Sequence, residues 1–554
     1  MTDDEACGPH HDLIVGLVGA VGTDLPTVET DCIAHLTGLG FNAQGISVSG
    51  LMRQQYGDAL KPESEVTYDD YVSEHMTAGD ALCAHWHGAD VLALLCVEDI
   101  RRRRDEQTDG PRACAFVLRS LKRPEEVRLL REVYRGQFVL IGCHTPRDSR
   151  IRQLASRIAR SQGAAAVTPY RGSAERLANR DEHEQGPPTT DPTIRRWFKD
   201  HGQNVENTFP LADFYLNLQD PQRAAAGLRR FCDLLLGSPF ISPSRDEVAM
   251  FHAGAGAVRS ADMSRQVGAA IATPEGDIIA IGCNEVPRAG GGAYWEGDPD
   301  DARDFQLGVD GNQDQRDRAL HEVFRVLEER GLLTATARAA GHAAFAEALD
   351  DTRVDGLIEF TRSTHAEMAA LLDAARRGVS VRKAVLYAST FPCHNCAKHI
   401  VSAGIERVVF IEPYPKSLAD QLHGDAIAVD DPHRAHPTVH FEHFAGVAPV
   451  NYFTLFTNTG KRKHDDGTPR VFSASMINPR LRGNFHVSPL PHEEETINRL
   501  GELRSKYGSP TRAQIDRAPI IVASSTVASA SHAPPELAPD EPEDDSAGGS
   551  QSAT

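Results

Sequence analysis

The chain has 554 residues, a formal net charge of −20, and ordinary charged (25%) and apolar (40%) fractions. This length implies two or three domains. The acidity weighs against bulk nucleic acid as a partner, since that needs Lys and Arg to displace counterions, while leaving room for small nucleotides and for a protein partner. No stretch approaches the ~20 apolar residues that span a bilayer. The N-terminal MTDDEACGPHHD has no signal-peptide core, so a cytoplasmic location with no membrane partner is expected. The ten cysteines are expected to be mostly reduced thiols. Only Cys393 and Cys396 stand at metal-ligand spacing.

Asp12–Gly22 (DLIVGLVGAVG) reads as a buried parallel strand running into a glycine turn, and Thr27–Leu39 suits a helix. Val91–Cys96 (VLALLC) and Phe138–Gly142 (FVLIG) are expected as two more strands, with the helical period of Ser120–Tyr134 between them. Such alternation predicts a mostly parallel α/β domain over residues 1–240, closed by the linker-like GSPFISP. A second α/β pattern occupies residues 241–482. It opens with a hairpin, Val267–Thr273 and Asp277–Gly282, and an acidic insertion at about 297–360 interrupts it. A helix (His365–Arg377), a strand (Lys383–Tyr387), a helix from Cys393 and a strand (Arg407–Ile411) follow. Residues 483–554 form a C-terminal extension whose Ala, Ser, Pro, Asp and Glu content predicts disorder from about 520.

The chemical signal is His365-Ala366-Glu367 followed by Pro392-Cys393-His394-Asn395-Cys396. Cytosine C4 is a poor electrophile toward neutral water. One imidazole and two thiolates hold a zinc ion and leave a fourth position open for water, whose pKa zinc lowers to about 7. A carboxylate that does not ligate the metal must then move protons, and Glu367, two residues after the histidine, is placed to do so. Cys393 and Cys396, at i and i+3, share one face at a helix start, where thiolates are favoured. A purely structural zinc site would want four protein ligands and would leave Glu367 without a purpose.

These residues resemble the cytidine/deoxycytidylate deaminase superfamily. The likeness extends upstream to Val267-Gly268-Ala269-Ala270-Ile271 and Gly282-Cys283-Asn284-Glu285-Val286-Pro287. It implies one zinc ion held by His365, Cys393 and Cys396, and Glu367 as the proton shuttle. It also implies a substrate site that uses Asn284 against the deoxyribose, the backbone at Ala388 and Ser389 against the base, and the aromatic Tyr414 nearby. Asn284 as a turn residue, and Tyr414 as a core or surface tyrosine, are the plain alternatives. The phrases Phe391–Ile400, Glu412–Ala419 and Phe441–Pro449 further resemble the bacterial anti-phage dCTP deaminases. That family joins an N-terminal kinase-like, P-loop-type parallel α/β domain to a C-terminal cytidine-deaminase-like α/β/α domain. The resemblance implies hydrolysis of dCTP or dCMP that drains the nucleotide pool during infection. It also implies a homo-oligomer, and an RNA or phage-derived regulator.

The N-terminal loop Gly16, Gly19, Gly22, Thr23 departs from G-x-x-x-x-G-K-[ST], because it is one residue too long and has no Lys before Thr23. Phosphoryl transfer is therefore not expected, and the loop is read either as binding a nucleotide or as a structural glycine turn. Arg147 and Arg150 resemble arginines over phosphates, with an exposed amphipathic helix as the alternative. Arg101–Arg104 reads as a solvated face or loop. Asp310–Asp314 opens like a calcium loop, but Gln315 and His321 stand where glycine and a bidentate carboxylate are needed. Two further functional readings compete with nucleotide deamination. A nucleic-acid cytosine or adenine deaminase would want a basic, aromatic-laced stripe. A nucleotide-sensing regulator with structural zinc would have no use for Glu367.

Overall fold

The computed structural model describes residues 12–519 apart from 108–112, 183–191, 350, 351, 353, 355, 413–416, 432–436, 459, 474–479 and 481–487. The disorder expected from 520 lies outside the described residues. Among them are two six-stranded sheets. The first holds β1 (Leu13–Gly19), β2 (Asn42–Ser47), β3 (Cys114–Arg119), β4 (Phe138–His144) and β5 (Phe214–Asn217). The second holds β6 (Gly268–Ala272), β7 (Ile278–Cys283), β8 (Val385–Ala388), β9 (Arg407–Phe410), β10 (Ile427–Val429) and β11 (Val439–His443). A two-residue strand, β12 (Gly446–Val447), returns to the first sheet.

The first sheet runs β12-β5-β4-β1-β3-β2, with β2 to β5 parallel to their neighbours and β12 antiparallel. Its central strand β1 is buried along its whole length, as a strand covered by helices on both faces must be. The second sheet runs β10-β11-β9-β8-β6-β7. The expected hairpin forms β6 and β7, and the remaining strands are parallel to one another. The two sheets bear out a mixed, parallel-rich α/β architecture. No described helix is long and apolar enough to cross a membrane.

The expected strand at Val91–Cys96 is instead the start of a helix, Val91–Asp105. Seven successive buried residues, Val91–Val97, hide the period that separates helix from strand. Continuation decides it: Leu, Ala, Glu and Arg favour the helix, and the run extends to 15 residues. The helix is buried because it packs against the helices Val48–Tyr56, Pro124–Tyr134 and Leu490–Tyr507. The arginine run on its last turn is only partly a solvated face. Arg102 and Arg103 close on Asp99, while Arg104 reaches Asp12 and the fully buried Glu493 at 2.8 Å. The C-terminal extension thus folds back onto the first sheet's helices. Within the acidic insertion, Asp310 accepts from the N–H groups of Asn312 and Gln313 at 2.9 and 3.0 Å, capping the helix Gly311–Glu329.

The two sheets meet at a buried polar cluster. His144, at the end of β4, lies 2.9 Å from the Asp430 carboxylate, and its ring stacks on His443 with centroids 4.2 Å apart. His443 Nδ1 donates to the Phe444 carbonyl at 2.9 Å, while its Nε2 is buried without a partner. Burial, and then the neighbouring His144, hold the His443 imidazole well below its usual pKa. Burial opposes ionisation of Asp430, but His144 outweighs it and keeps that carboxyl below its usual range. The unfolded chain takes up a proton on His443 near pH 6.5 that the folded chain refuses, so this stability is present above that pH and lost below it. Melting temperature is expected to fall between pH 7.5 and 5.5. His443→Asn should lower it at pH 7.5 but flatten the pH dependence, as read by differential scanning fluorimetry.

Candidate active site

Two helix starts converge beside the second sheet. His365 is the N-cap of the helix Ala366–Arg376, and Cys393 is the N-cap of the helix His394–Ala403, where its sulfur accepts from the Cys396 N–H at 3.4 Å. His365 Nδ1 lies 3.3 Å from Cys393 Sγ and 3.5 Å from Cys396 Sγ. The three ligand atoms all fall within 4.8 Å of one another. One imidazole and two thiols at this spacing fit a zinc ion that keeps one position for a non-protein ligand. Glu367 is buried on the first turn of its helix, and its Oε2 lies 3.5 Å from Cys396 Sγ.

The electrostatics of the cluster suit a cation. Hydrogen bonds received from Cys396 and then from His365, with the charge of that imidazole, outweigh burial and push the Cys393 thiol down to about 4. Cys396 keeps its proton, held up by its hydrogen bond to Cys393 and by burial. A metal ion displaces such a proton on binding. Burial raises the Glu367 carboxyl above its ordinary range, which strengthens the carboxylate as a base.

Close approach of backbone sets this geometry. A Cβ on Gly282 of β7 would strike the Ala366 carbonyl oxygen and meet Ala370 N at 2.5 Å, so only glycine lets the His365 helix lie on the sheet. The Glu285–Thr364 bridge, with N–H···O distances of 3.0 and 3.3 Å, ties the end of β7 to the residue before His365. The Cys393 loop is pinned from outside by residues that sequence reasoning did not single out for a role. Glu412 accepts from Phe391 N at 3.0 Å and faces Arg265, Ser417 Oγ donates to Pro392 O at 3.0 Å, and His423 Nε2 donates to His394 O at 3.0 Å.

The remaining candidate residues are placed as follows. Asn284 Oδ1 accepts from Val267 N and its Nδ2 donates to Arg265 O, both at 2.7 Å. The side chain therefore fastens the turn before β6, and each of its atoms keeps one further hydrogen-bonding position. Ala388 ends β8, and Ser389 pairs with Gly268 through its N–H and hydroxyl at 3.0 and 3.1 Å. Tyr414 lies outside the described residues. Gly16, Gly19, Gly22 and Thr23 belong to the first sheet and its following turn, and are not part of the His365–Cys393–Cys396 cluster.

Two measurements check this construction. Purified protein is expected to hold one zinc per chain, lost in His365→Ala and Cys396→Ala but kept in Glu367→Ala, as read by elemental analysis. Gly282→Ala should destabilise the fold by about 1–3 kcal/mol through overpacking, as read by chemical denaturation.

Comparison with known proteins adds to the geometry. The family described as "Cytidine and deoxycytidylate deaminase zinc-binding region" matches residues 243–412. Deoxycytidylate deaminase of Enterobacteria phage T2 is 45% identical over 53 residues, which is 10% of this chain and 28% of that protein. ComE operon protein 2 of Bacillus subtilis (strain 168) is 38% identical over 65 residues, 11% of this chain and 34% of that protein. The chain thus spans about a third or less of the length of these relatives. The dCMP deaminase of cyanophage S-TIM5, solved in complex with dCMP and dUMP, is 18% identical, with a TM-score of 0.21, over 37% of this chain and 100% of that one. Sequence match and ligand geometry together show that the C-terminal part of this chain carries a cytidine/deoxycytidylate deaminase domain.

Proposed function

We propose that the chain hydrolyses the exocyclic amine of a deoxycytidine nucleotide, taking dCMP or dCTP and water to dUMP or dUTP and ammonia. The observation that carries this reading is Glu367, a buried carboxylate set against the His365–Cys393–Cys396 cluster and outside its ligand set. A zinc ion there would supply the Lewis acidity that makes water a nucleophile near neutral pH. The chain's own residues do the rest. Glu367 accepts the proton of the attacking water, passes it to ring N3, and delivers a proton to the amine as the C4–N bond breaks. Asn284 offers its remaining donor and acceptor to the sugar, and the end of β8 at Ala388 and Ser389 lies against the base.

Resemblance of Phe391–Ile400, Glu412–Ala419 and Phe441–Pro449 to the anti-phage dCTP deaminases supports a role in draining the deoxycytidine nucleotide pool during infection. Ammonia release from zinc-loaded protein is expected with dCTP or dCMP and not with CTP or single-stranded DNA. Glu367→Ala should cut turnover by about a thousand-fold or more. Turnover of single-stranded DNA alone would transfer the reading to a polynucleotide substrate. In phage-infected cells the wild-type chain should lower dCTP, and Glu367→Ala should not.

A further inference from the structure

The turn after β1 is where the sequence allowed a nucleotide phosphate. An anion already occupies that place. Asp181, near the end of the helix Arg171–Glu182, accepts from Val21 N at 2.7 Å through Oδ2, and its Oδ1 lies 3.1 Å from Lys122 Nζ. Lys122 Nζ also donates to the Gly19 carbonyl at 3.0 Å, so the cation bridges the loop and the carboxylate. The next residue, Glu182, takes Arg150 at 3.0 Å and Arg147 at 3.1 Å. Arg150 is buried rather than on an exposed helical face, and donates to the Val21 and Thr145 carbonyls at 3.2 Å. Lys122, Arg147 and Arg150, three cations beside the loop, are thus each paired with a carboxylate of this chain.

Two further facts close the loop. Carboxylates in the last turn of a helix face the negative end of its dipole. Asp181 and Glu182 therefore stand against their own helix's preference and are held by the loop's N–H and these cations. The glycines, in turn, pack closely against their neighbours. A Cβ on Gly19 would meet the Cys143 carbonyl at 2.9 Å, and one on Gly22, at φ +86°, would meet Arg150 O and Leu154 at 3.0 Å. Thr23 Oγ1, the atom that would reach a magnesium ion, is buried from solvent without a partner.

We propose that Asp181 is a tethered anion standing in the phosphate place of this loop, so that the native N-terminal unit takes no nucleotide phosphate there. Removing the carboxylate should turn the loop into a phosphate site. Inorganic pyrophosphate is titrated into the full chain, with calorimetry and melting temperature as readouts. Wild type is expected to show no saturable binding that depends on Lys122. Asp181→Ala should gain a saturable rise in melting temperature, lost again when Lys122→Met is added. Saturable binding by wild type that Lys122→Met abolishes would overturn the proposal, and so would a folded Asp181→Ala protein indifferent to pyrophosphate. If Asp181→Ala does not fold, the wild-type and Lys122→Met titrations decide alone.

Discussion

His365, Cys393 and Cys396 bring three ligand atoms within 4.8 Å of one another, and keeping them together is the condition on which the candidate site depends. The rest of the second sheet is arranged around meeting that condition. The helix starts at His365 and Cys393 are aimed at one point, and Gly282 lets one of those helices descend onto β7. Glu412, Ser417 and His423 hold the Pro392–His394 backbone still. A ligand set on helix N-caps is stiff, since the cap residue's backbone is fixed by the turn it starts. Glu367, in the first turn of the same helix, inherits that stiffness.

Charge is handled differently inside and outside. The surface carries the net negative charge, while the interior carries ion pairs that knit distant segments together. Glu493 receives Arg104, Glu247 receives Arg230 and the Val447 N–H, and Asp213 receives the Leu140 N–H and the Asn451 amide. Breaking one partner of such a buried pair is costly, about 3–5 kcal/mol, although the pair itself adds little net stability. These links act as registration marks between parts of the chain that are far apart in sequence.

The His365–Cys393–Cys396 cluster and the neighbouring Glu367 were legible as a candidate site because the chemistry they suggest demands fixed residue types at short spacing, and both helices and the strand between them follow from local periodicity. The β6–β7 hairpin was legible for the same reason, with a Pro-Glu-Gly turn between two short apolar runs. The Val91–Asp105 helix was not, because burial on all sides erases the amphipathic signal that names a helix. Asn284 shows another limit: its type and position were noted, but only the folded turn reveals that it binds its own backbone at residues 265 and 267. Glu412 and Asp181 act through neighbours 21 and 160 residues away. No local pattern encodes such pairings.

Strand β12 has a consequence for how this chain can be divided. Gly446 and Val447 pair with Tyr215 and Phe214, so the outer edge of the first sheet is covered by a segment that follows the deaminase strands in sequence. The helices Leu490–Tyr507 and Arg512–Arg517 lie on the first sheet's side as well. Covalent order and spatial ownership therefore disagree: the front half of the chain is finished by its tail. A fragment cut near residue 240 would present β5 as an open edge and strip the buried Val91–Asp105 helix of its cover, a recipe for self-association. Any recombination that moves the deaminase to a new partner separates the first sheet from its own cap, which ties the inheritance of the two halves together.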